Sequence, residues 1–262
     1  MKSIDEVEHA PFREILRHFG IEQDVEISLA ADLPSFSGLG SSSSFTVGLI
    51  NALSAFQGRF IPKGDLARLA IRVEREILQE TVGLQDQVTA AYGGFNLIHF
   101  LGAEKFVVTR VTIPRSRLEE LDRSLMLFFT RITRRADQIE RQKLKRLNSI
   151  EPGLRRSLEL VDKAYGILTG GGPLVAFGEL LDSAWREKRA LDPNVSTAGV
   201  DLMYREAREA GAIGGKLCGA GGGGFMLLFV PEERQDAVRK ALRAYPEVRF
   251  SIDAPGSTII HS

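Results

Sequence analysis

Between residues 34 and 44 the chain reads Pro34-Ser35-Phe36-Ser37-Gly38-Leu39-Gly40-Ser41-Ser42-Ser43-Ser44. Two glycines one residue apart let backbone N–H groups come close to a ligand. If a helix starts at the serines, its first N–H groups have no intrahelical acceptor and point at the same spot. The hydroxyls add ligands for phosphate oxygens or a metal ion. Such a loop is an anion site, and a polyphosphate is its natural guest. The plainer alternative is a flexible turn ending in a serine N-cap. Against that alternative, Phe45 to Phe56 is apolar nearly all round and predicts a buried helix, which flexible linkers do not enter. The G-x-x-x-x-G-K-[ST] spacing is absent, so this is not a P-loop.

Two carboxylates follow in VEREILQETVGLQDQ: Glu74, and twelve residues later Asp86. A helix is expected over about 66–79, with Leu66, Leu69, Ala70, Val73 and Ile77 on one face and Asp65 as N-cap. Glu74 sits at the edge of that stripe, above Ala70, and is expected to project into a cleft. A solvated helix face is its plainer alternative. Asp86 follows Gly83 and opens a short helix near 86–92, where an ordinary N-cap is the alternative.

A second glycine-rich stretch, Gly214-Gly215-Lys216-Leu217-Cys218-Gly219-Ala220-Gly221-Gly222-Gly223-Gly224, precedes the expected strand FMLLFV. Residues 219–224 fit G-x-G-x-x-G, but that dinucleotide fingerprint needs a strand before it and a helix after it. Here the strand follows, so the Rossmann reading fails. So many glycines cost backbone entropy and imply close approach to something. Cys218 reads as a small packed residue rather than a nucleophile.

The rest of the chain must hold these three stretches in place. Its 262 residues suit one large domain or two ordinary ones. Lys+Arg and Asp+Glu balance at 34 each, which argues against a strongly basic nucleic-acid binder. The single cysteine cannot form an internal disulfide, and no Cys/His spacing suggests zinc. No apolar run reaches the roughly 18 residues of a membrane span, and the acidic N-terminus has no secretory h-region. A cytoplasmic enzyme or binding protein is expected.

Helical spacing covers residues 5–19, and VEISLAA (25–31) alternates like a strand. FNLIHF (95–100) and FVVTRVTI (106–113) read as a strand pair, and 125–130 as a further strand. The second half is richer in helix, at about 134–149, 152–169, 174–190, 199–210 and 232–244, and VRFSI (248–252) is the last strand. This order predicts an α+β protein of two lobes, 1–122 and 123–262, rather than an alternating βαβ chain.

The three stretches, in this order, resemble the motifs of the GHMP small-molecule kinases. PSFSGLGSSSSF is similar to the family's P-x-x-x-G-L-G-S-S phosphate loop, and KLCGAGGGG to its K-x-x-G-A-G-G-G-G motif. GLGSSSSFTVGLINAL, VGLQDQVTAAYGGFN and FGELLDSAWREKRA resemble the heptose-phosphate kinase branch. LFFTRITRRA does too, with Arg131 where that branch has glycine. The resemblance runs from about Ser3 to His261 and implies an N-terminal ribosomal-S5-like lobe and a C-terminal ferredoxin-like lobe. It implies ATP held by Gly38, Leu39, Gly40, Ser41, Ser42, Ser43, Ser44, Gly219, Ala220, Gly221 and Gly222. It implies Mg²⁺ on Ser42 and Glu74, with Asp86 as the catalytic base beside the acceptor hydroxyl. The implied reaction is phosphoryl transfer from ATP to a hydroxyl of a sugar phosphate, the anomeric hydroxyl of a heptose 7-phosphate. Another sugar or a mevalonate-like alcohol is the alternative acceptor.

The family opens with a segment of the kind R-I-S-F-A-G-G-G-T-D. This chain has no match to it, so an incomplete first lobe is expected. From that come a rival reading, a non-catalytic nucleotide- or sugar-binding remnant, and an open sheet edge that would permit a homodimer. Within the basic run 131–146, Arg134 or Arg135 could grip a substrate phosphate, against the plainer reading of a solvated face. Trp185 is expected as a core anchor and Lys188 near the site. The four histidines form no cluster.

Overall fold

The computed structural model of the chain describes residues 4–22, 25–33, 38–102, 104–133 and 147–261. Backbone proximity divides it into two compact units. The first comprises residues 1–35, 40–109 and 253–262, and the second residues 36–39 and 110–252.

In the first unit, α1 (Ala10–His18) starts where the His9 Nδ1 accepts from the Phe12 N–H, with a proline in its first turn. α2 (Ser41–Phe56) buries Val47, Leu49, Ile50 and Leu53. α3 (Lys63–Arg72) buries Leu66, Ala67, Ala70 and Ile71, and passes without a break into a π-helical turn, Val73–Ile77. There the Leu78 N–H reaches back five residues to the Val73 carbonyl at 2.9 Å. α4 (Gln85–Tyr92) leads to a two-stranded sheet of β1 (Asn96–Phe100) and β2 (Phe106–Arg110). Ile15, Ile50, Leu66, Val73 and Val88 form one apolar core.

The C-terminal tail returns to this unit. The Gly94 N–H donates to the Ala254 carbonyl, and the Ser257 N–H to the Ala90 carbonyl. A Cβ on Gly93 would stand 1.9 Å from the Gly256 nitrogen, so only glycine fits at this crossing.

The second unit runs α5 (Arg115–Ser124), β3 (Leu125–Phe129), α6 (Leu147–Thr169), α7 (Val175–Leu191), α8 (Ala198–Glu209), β4 (Gly214–Leu217), β5 (Phe225–Phe229), α9 (Gln235–Ala241) and β6 (Glu247–Val248). Its sheet is antiparallel in the order β4-β5-β3-β6, with Leu127 opposite both Leu227 and Val248. Met126, Phe128, Met226 and Leu228 share a core with Trp185 of α7 and Met203 of α8. Trp185 is fully buried, as its anchoring role requires.

Several sequence expectations change. VEISLAA forms no strand, although Val25 and Ile27 pack on the first core. Alternation supplies a buried edge, but a strand also needs a paired backbone, and none of the described residues pairs with it. The last strand shortens to Glu247–Val248, and α3 begins after Pro62, with Asp65 inside its first turn. β4 was not foreseen, because glycine-rich sequence carries little strand propensity. The helix expected over 134–149 lies outside the described residues up to 146.

The β4 glycines allow close packing on both sides, Gly214 against α7 and Gly215 against Leu227 and Leu228 of β5. A Cβ on Gly214 would come within 1.9 Å of the Gly178 carbonyl oxygen, whereas one on Gly178 would meet the Phe229 ring edge at 2.8 Å. We expect Gly214→Ala to destabilise the protein by about 3 kcal/mol, at the upper end for overpacking. Gly178→Ala should cost less, because its Cβ meets side-chain atoms of Phe229 and Ile213 at 2.8–3.0 Å rather than a backbone carbonyl at 1.9 Å. Urea unfolding midpoints of the two variants check the order.

Candidate active site

The first glycine loop enters α2 through Gly40, the N-cap, whose backbone is left-handed (φ 72°). No side chain caps the helix, and the first intrahelical bond is that from the Ser44 N–H to the Gly40 carbonyl at 2.8 Å. The N–H groups of Ser41, Ser42 and Ser43 therefore lack an acceptor within the helix, the arrangement that binds anions. Gly38 is left-handed too (φ 80°). Pro34 to Ser37 lie outside the described residues.

The four serines divide by exposure. Ser42 and Ser44 are exposed, Ser41 is half-buried and Ser43 is buried. Ser43 turns inward and donates through its hydroxyl to Glu74 Oε2 at 3.0 Å. The structure thus brings Glu74 to Ser43, not to Ser42, which lies one residue and about 100° away around the helix.

Glu74 does not project into an open cleft. It is 1% exposed, because it follows Leu66 and Ala70 on the buried face of the helix, where Ser43 of α2 and Gln87 of α4 meet it. Gln87 of α4 donates a second hydrogen bond to Oε2. Burial pushes the Glu74 carboxyl above its ordinary range, and the bonds from Gln87 and Ser43 offset only part of that. The Thr46 hydroxyl also lies beside the carboxyl as a donor, and two buried oxygens here, Glu74 Oε1 and Gln87 Oε1, lack a hydrogen-bond partner among the described residues. They are hard donors, the kind that Mg²⁺ takes together with water and phosphate oxygens. Among the described residues no three His, Cys, Asp or Glu side chains group as an all-protein metal cage.

Asp86 is not the N-cap of its helix. The N-cap is Leu84, and Asp86 stands in the first turn of α4, half-buried. Its carboxyl lies against the start of α2: a Cβ on Gly40 would stand 3.1 Å from Asp86 Cγ and 3.4 Å from Oδ2. Glycine at position 40 therefore serves both the left-handed turn and the close approach of Asp86.

The second glycine loop joins β4 to β5. Its backbone is left-handed at Gly219, Gly221, Gly222 and Gly224. A Cβ on Gly219 would stand 2.6 Å from the Gly38 carbonyl oxygen, so the two glycine loops meet backbone to backbone. Gly221 packs on Val195, and the Gly222 N–H donates to the Val195 carbonyl at 2.8 Å. Lys188 holds the loop's first residues, donating to the carbonyls of Leu217 (2.8 Å) and Gly219 (2.5 Å). Cys218 is packed, with its thiol pushed up by burial and no sign of nucleophilic activation.

Gln87 and Thr46 escaped the sequence reading, although Gln87 adjoins Asp86. Arg131 has a left-handed backbone (φ 61°) and donates through Nε to the Ala244 carbonyl. That backbone explains why a glycine suits the position. Arg134 and Arg135 lie outside the described residues.

A helix start rich in small residues with a carboxylate beside it, and a second glycine-rich loop between two strands, are the features that resemble those of the GHMP kinases. The chain belongs to that family: the GHMP kinases N terminal domain matches residues 9–94, and the GHMP kinases C terminal domain matches 171–248. Its fold is the two-domain mixed α/β fold of those enzymes. It is 34% identical over 223 residues to D-glycero-alpha-D-manno-heptose 7-phosphate kinase of Campylobacter jejuni, covering 81% of this chain and 63% of that enzyme. It is 30% identical to mevalonate kinase of Methanothermobacter thermautotrophicus, covering 88% of this chain and 73% of that one. The crystal structure of a D-glycero-D-manno-heptose 1-phosphate kinase from Bacteriodes thetaiotaomicron matches with a TM-score of 0.72 at 25% identity, covering 97% of this chain and 74% of that one. The chain thus spans a little under two thirds of the Campylobacter enzyme.

The raised Glu74 carboxyl has a measurable consequence. Unfolded, it ionises near 4.5; folded, it holds its proton to higher pH. Its contribution to stability is therefore full below about pH 4.5 and declines as pH rises through the folded value. In metal-free buffer, Glu74→Gln should melt higher than the parent at pH 8, with the gap closing toward pH 4. Scanning calorimetry across that range reads it.

Proposed function

We propose that the chain is an ATP-dependent kinase that phosphorylates a sugar phosphate, at the anomeric hydroxyl of a heptose 7-phosphate. The observation that carries this reading is the pairing of Asp86 with the Gly40 start of α2. A proton acceptor there stands beside backbone N–H groups suited to a polyphosphate. Phosphoryl transfer is mostly positioning and charge neutralisation. Gly38, Leu39, Gly40 and the serines 41–44 bind the phosphates through backbone N–H groups and hydroxyls. Gly219, Ala220, Gly221 and Gly222 fix that loop, a role supported by the contact between Gly219 and Gly38.

Mg²⁺, when bound, neutralises charge on the polyphosphate. Ser42 and Glu74 are its proposed ligands, with Ser43 and Gln87 orienting the Glu74 carboxylate. Asp86 orients the acceptor hydroxyl and takes its proton. The heptose acceptor rests on the name of the Campylobacter relative. A mevalonate-like alcohol is the second reading, favoured by the Methanothermobacter relative. Among the described residues no helix is long and apolar enough to cross a membrane. We place the protein in the cytoplasm, with ATP and a sugar phosphate as its partners and no nucleic acid.

The reading is tested by turnover of MgATP with heptose 7-phosphate and with mevalonate. Binding of MgATP without transfer to either would leave a binding protein, and stabilisation by NAD but not MgATP would remove the nucleotide assignment. Asp86→Asn should keep the fold and MgATP binding and lose about 10²–10⁴ in rate, as general-base loss does. Because Leu84 is the N-cap, no capping role of Asp86 can mimic that result. Ser42→Ala should raise the Mg²⁺ concentration needed for half-maximal rate with an unchanged melting temperature. Ser43→Ala should lower the melting temperature. Equal Mg²⁺ dependence in the parent and Ser42→Ala takes Ser42 out of the metal site.

A further inference from the structure

α6 carries two apolar stripes, and only one of them is used within the chain. Ile150, Gly153 and Leu168 are buried, with Ser157, Leu160 and Ala164 half-buried along the same side. This side meets α7 closely: a Cβ on Gly153 would stand 2.6 Å from Leu191 Cδ2. About a quarter-turn around the helix lie Leu154, Leu158 and Val161, exposed at 39%, 65% and 43%, with the half-buried Tyr165 completing the row. The spacing of four, three and four residues is that of a coiled-coil seam. A lone exposed leucine needs no explanation, but a row of four apolar positions at seam spacing marks a packing surface.

The charges beside the seam indicate what covers it. Arg155 and Asp162 flank it on the same side, one helical repeat apart and of opposite sign. Asp162 is exposed and has no ion-pair partner among the described residues. Among the described residues Arg155 pairs only with Glu151 of its own helix, through Nε at 3.1 Å and a terminal nitrogen at 2.7 Å, an exposed pair of a type worth little and easily exchanged. Two copies of α6 laid antiparallel about a two-fold axis near residues 159 and 160 place Leu158 against Val161 of the second copy. The same axis places Leu154 against Tyr165 of the second copy. Arg155 then faces Asp162 of the second copy, twice by symmetry. In a parallel pair the two-fold axis carries the two Arg155 side chains, and likewise the two Asp162, to opposite sides of the seam, so Arg155 and Asp162 would not meet across it. An isologous contact that pairs its own charges is what a two-fold dimer requires.

We propose that the exposed stripe of α6 is a homodimer interface, with a second copy of this chain packed antiparallel through Leu154, Leu158, Val161 and Tyr165 and registered by Arg155 and Asp162. One helix pair buries less than the roughly 1,600 Å² of a standard interface, so the dimer is a weak one.

Sedimentation equilibrium of the full chain from about 1 to 200 μM covers the range of a small interface and reads the dimer directly. The parent should pass from monomer to dimer across that range. Leu158→Asp should stay monomeric with an unchanged melting temperature, because position 158 is exposed in the protomer. Arg155→Asp and Asp162→Arg should each weaken the dimer at least about tenfold by setting like charges face to face. The double variant, with the charges exchanged, should recover the parent's affinity within about threefold. A parent that is monomeric throughout overturns the proposal, as does a dimer of unchanged strength in Leu158→Asp. A double variant no tighter than the singles overturns the antiparallel register.

Discussion

The Glu74 carboxylate is held by groups from two other elements, Ser43 of α2 and Gln87 of α4, while its own backbone lies in the π-turn after α3. Taking a carboxylate out of water is costly unless it is hydrogen-bonded. The two donors meet part of that cost, and they do so only if α2 and α4 keep one position relative to the turn. Gly40 begins α2 and Asp86 lies in the first turn of α4, so the contact between them inherits its register from the same three-way junction. The spacing of the carboxylates along the chain matters less than the helix ends that Glu74 clamps together.

The glycine stretches work by a different constraint, the distance of closest approach between backbones. Gly219 against Gly38, and Gly214 against Gly178, leave no room for a Cβ. Such contacts are rigid because their atoms belong to main chains that are tied elsewhere by hydrogen bonds. The Lys188 ammonium adds such a tie, gripping the carbonyls of Leu217 and Gly219 from α7. The entropy that glycine costs in the unfolded chain is thus spent mainly on the protein's own packing. The left-handed turns at Gly38 and Gly40 are the part that opens toward a ligand.

Much of this was legible in the sequence, and the failures have physical reasons. The buried helix after the serines and the glycine loops follow from periodicity and glycine placement, which are local signals. The departure of LFFTRITRRA from its family pattern at Arg131 falls on a left-handed residue, as a glycine in the pattern would suggest. What could not be read depends on tertiary contact. The burial of Glu74 needs α2 and α4 packed against it, which the periodicity of its own helix does not register. The pairing of Ser43 rather than Ser42 with Glu74 depends on the rotation of α2, which four identical residues cannot reveal. The return of the tail onto Gly93 and Gly94 joins segments about 160 residues apart, and nothing local marks it.

The orphaned oxygens bring the energetic and functional arguments together. Glu74 Oε1 and Gln87 Oε1 are buried with unspent hydrogen-bonding capacity, and each such group costs about 1–3 kcal/mol relative to a satisfied one. A buried pair of them carries a cost that one hydrophobic substitution would relieve. Their grouping around a single carboxylate, beside the helix start that can take a phosphate, is the expected signature of a site whose remaining ligands arrive with the substrate. The same atoms that lower stability in the empty protein are the ones a hard cation and its water would satisfy, so binding and folding are coupled through Glu74. The second glycine loop differs, because Lys188, Val195 and Ile132 tie its backbone down within the chain and its contribution is rigidity.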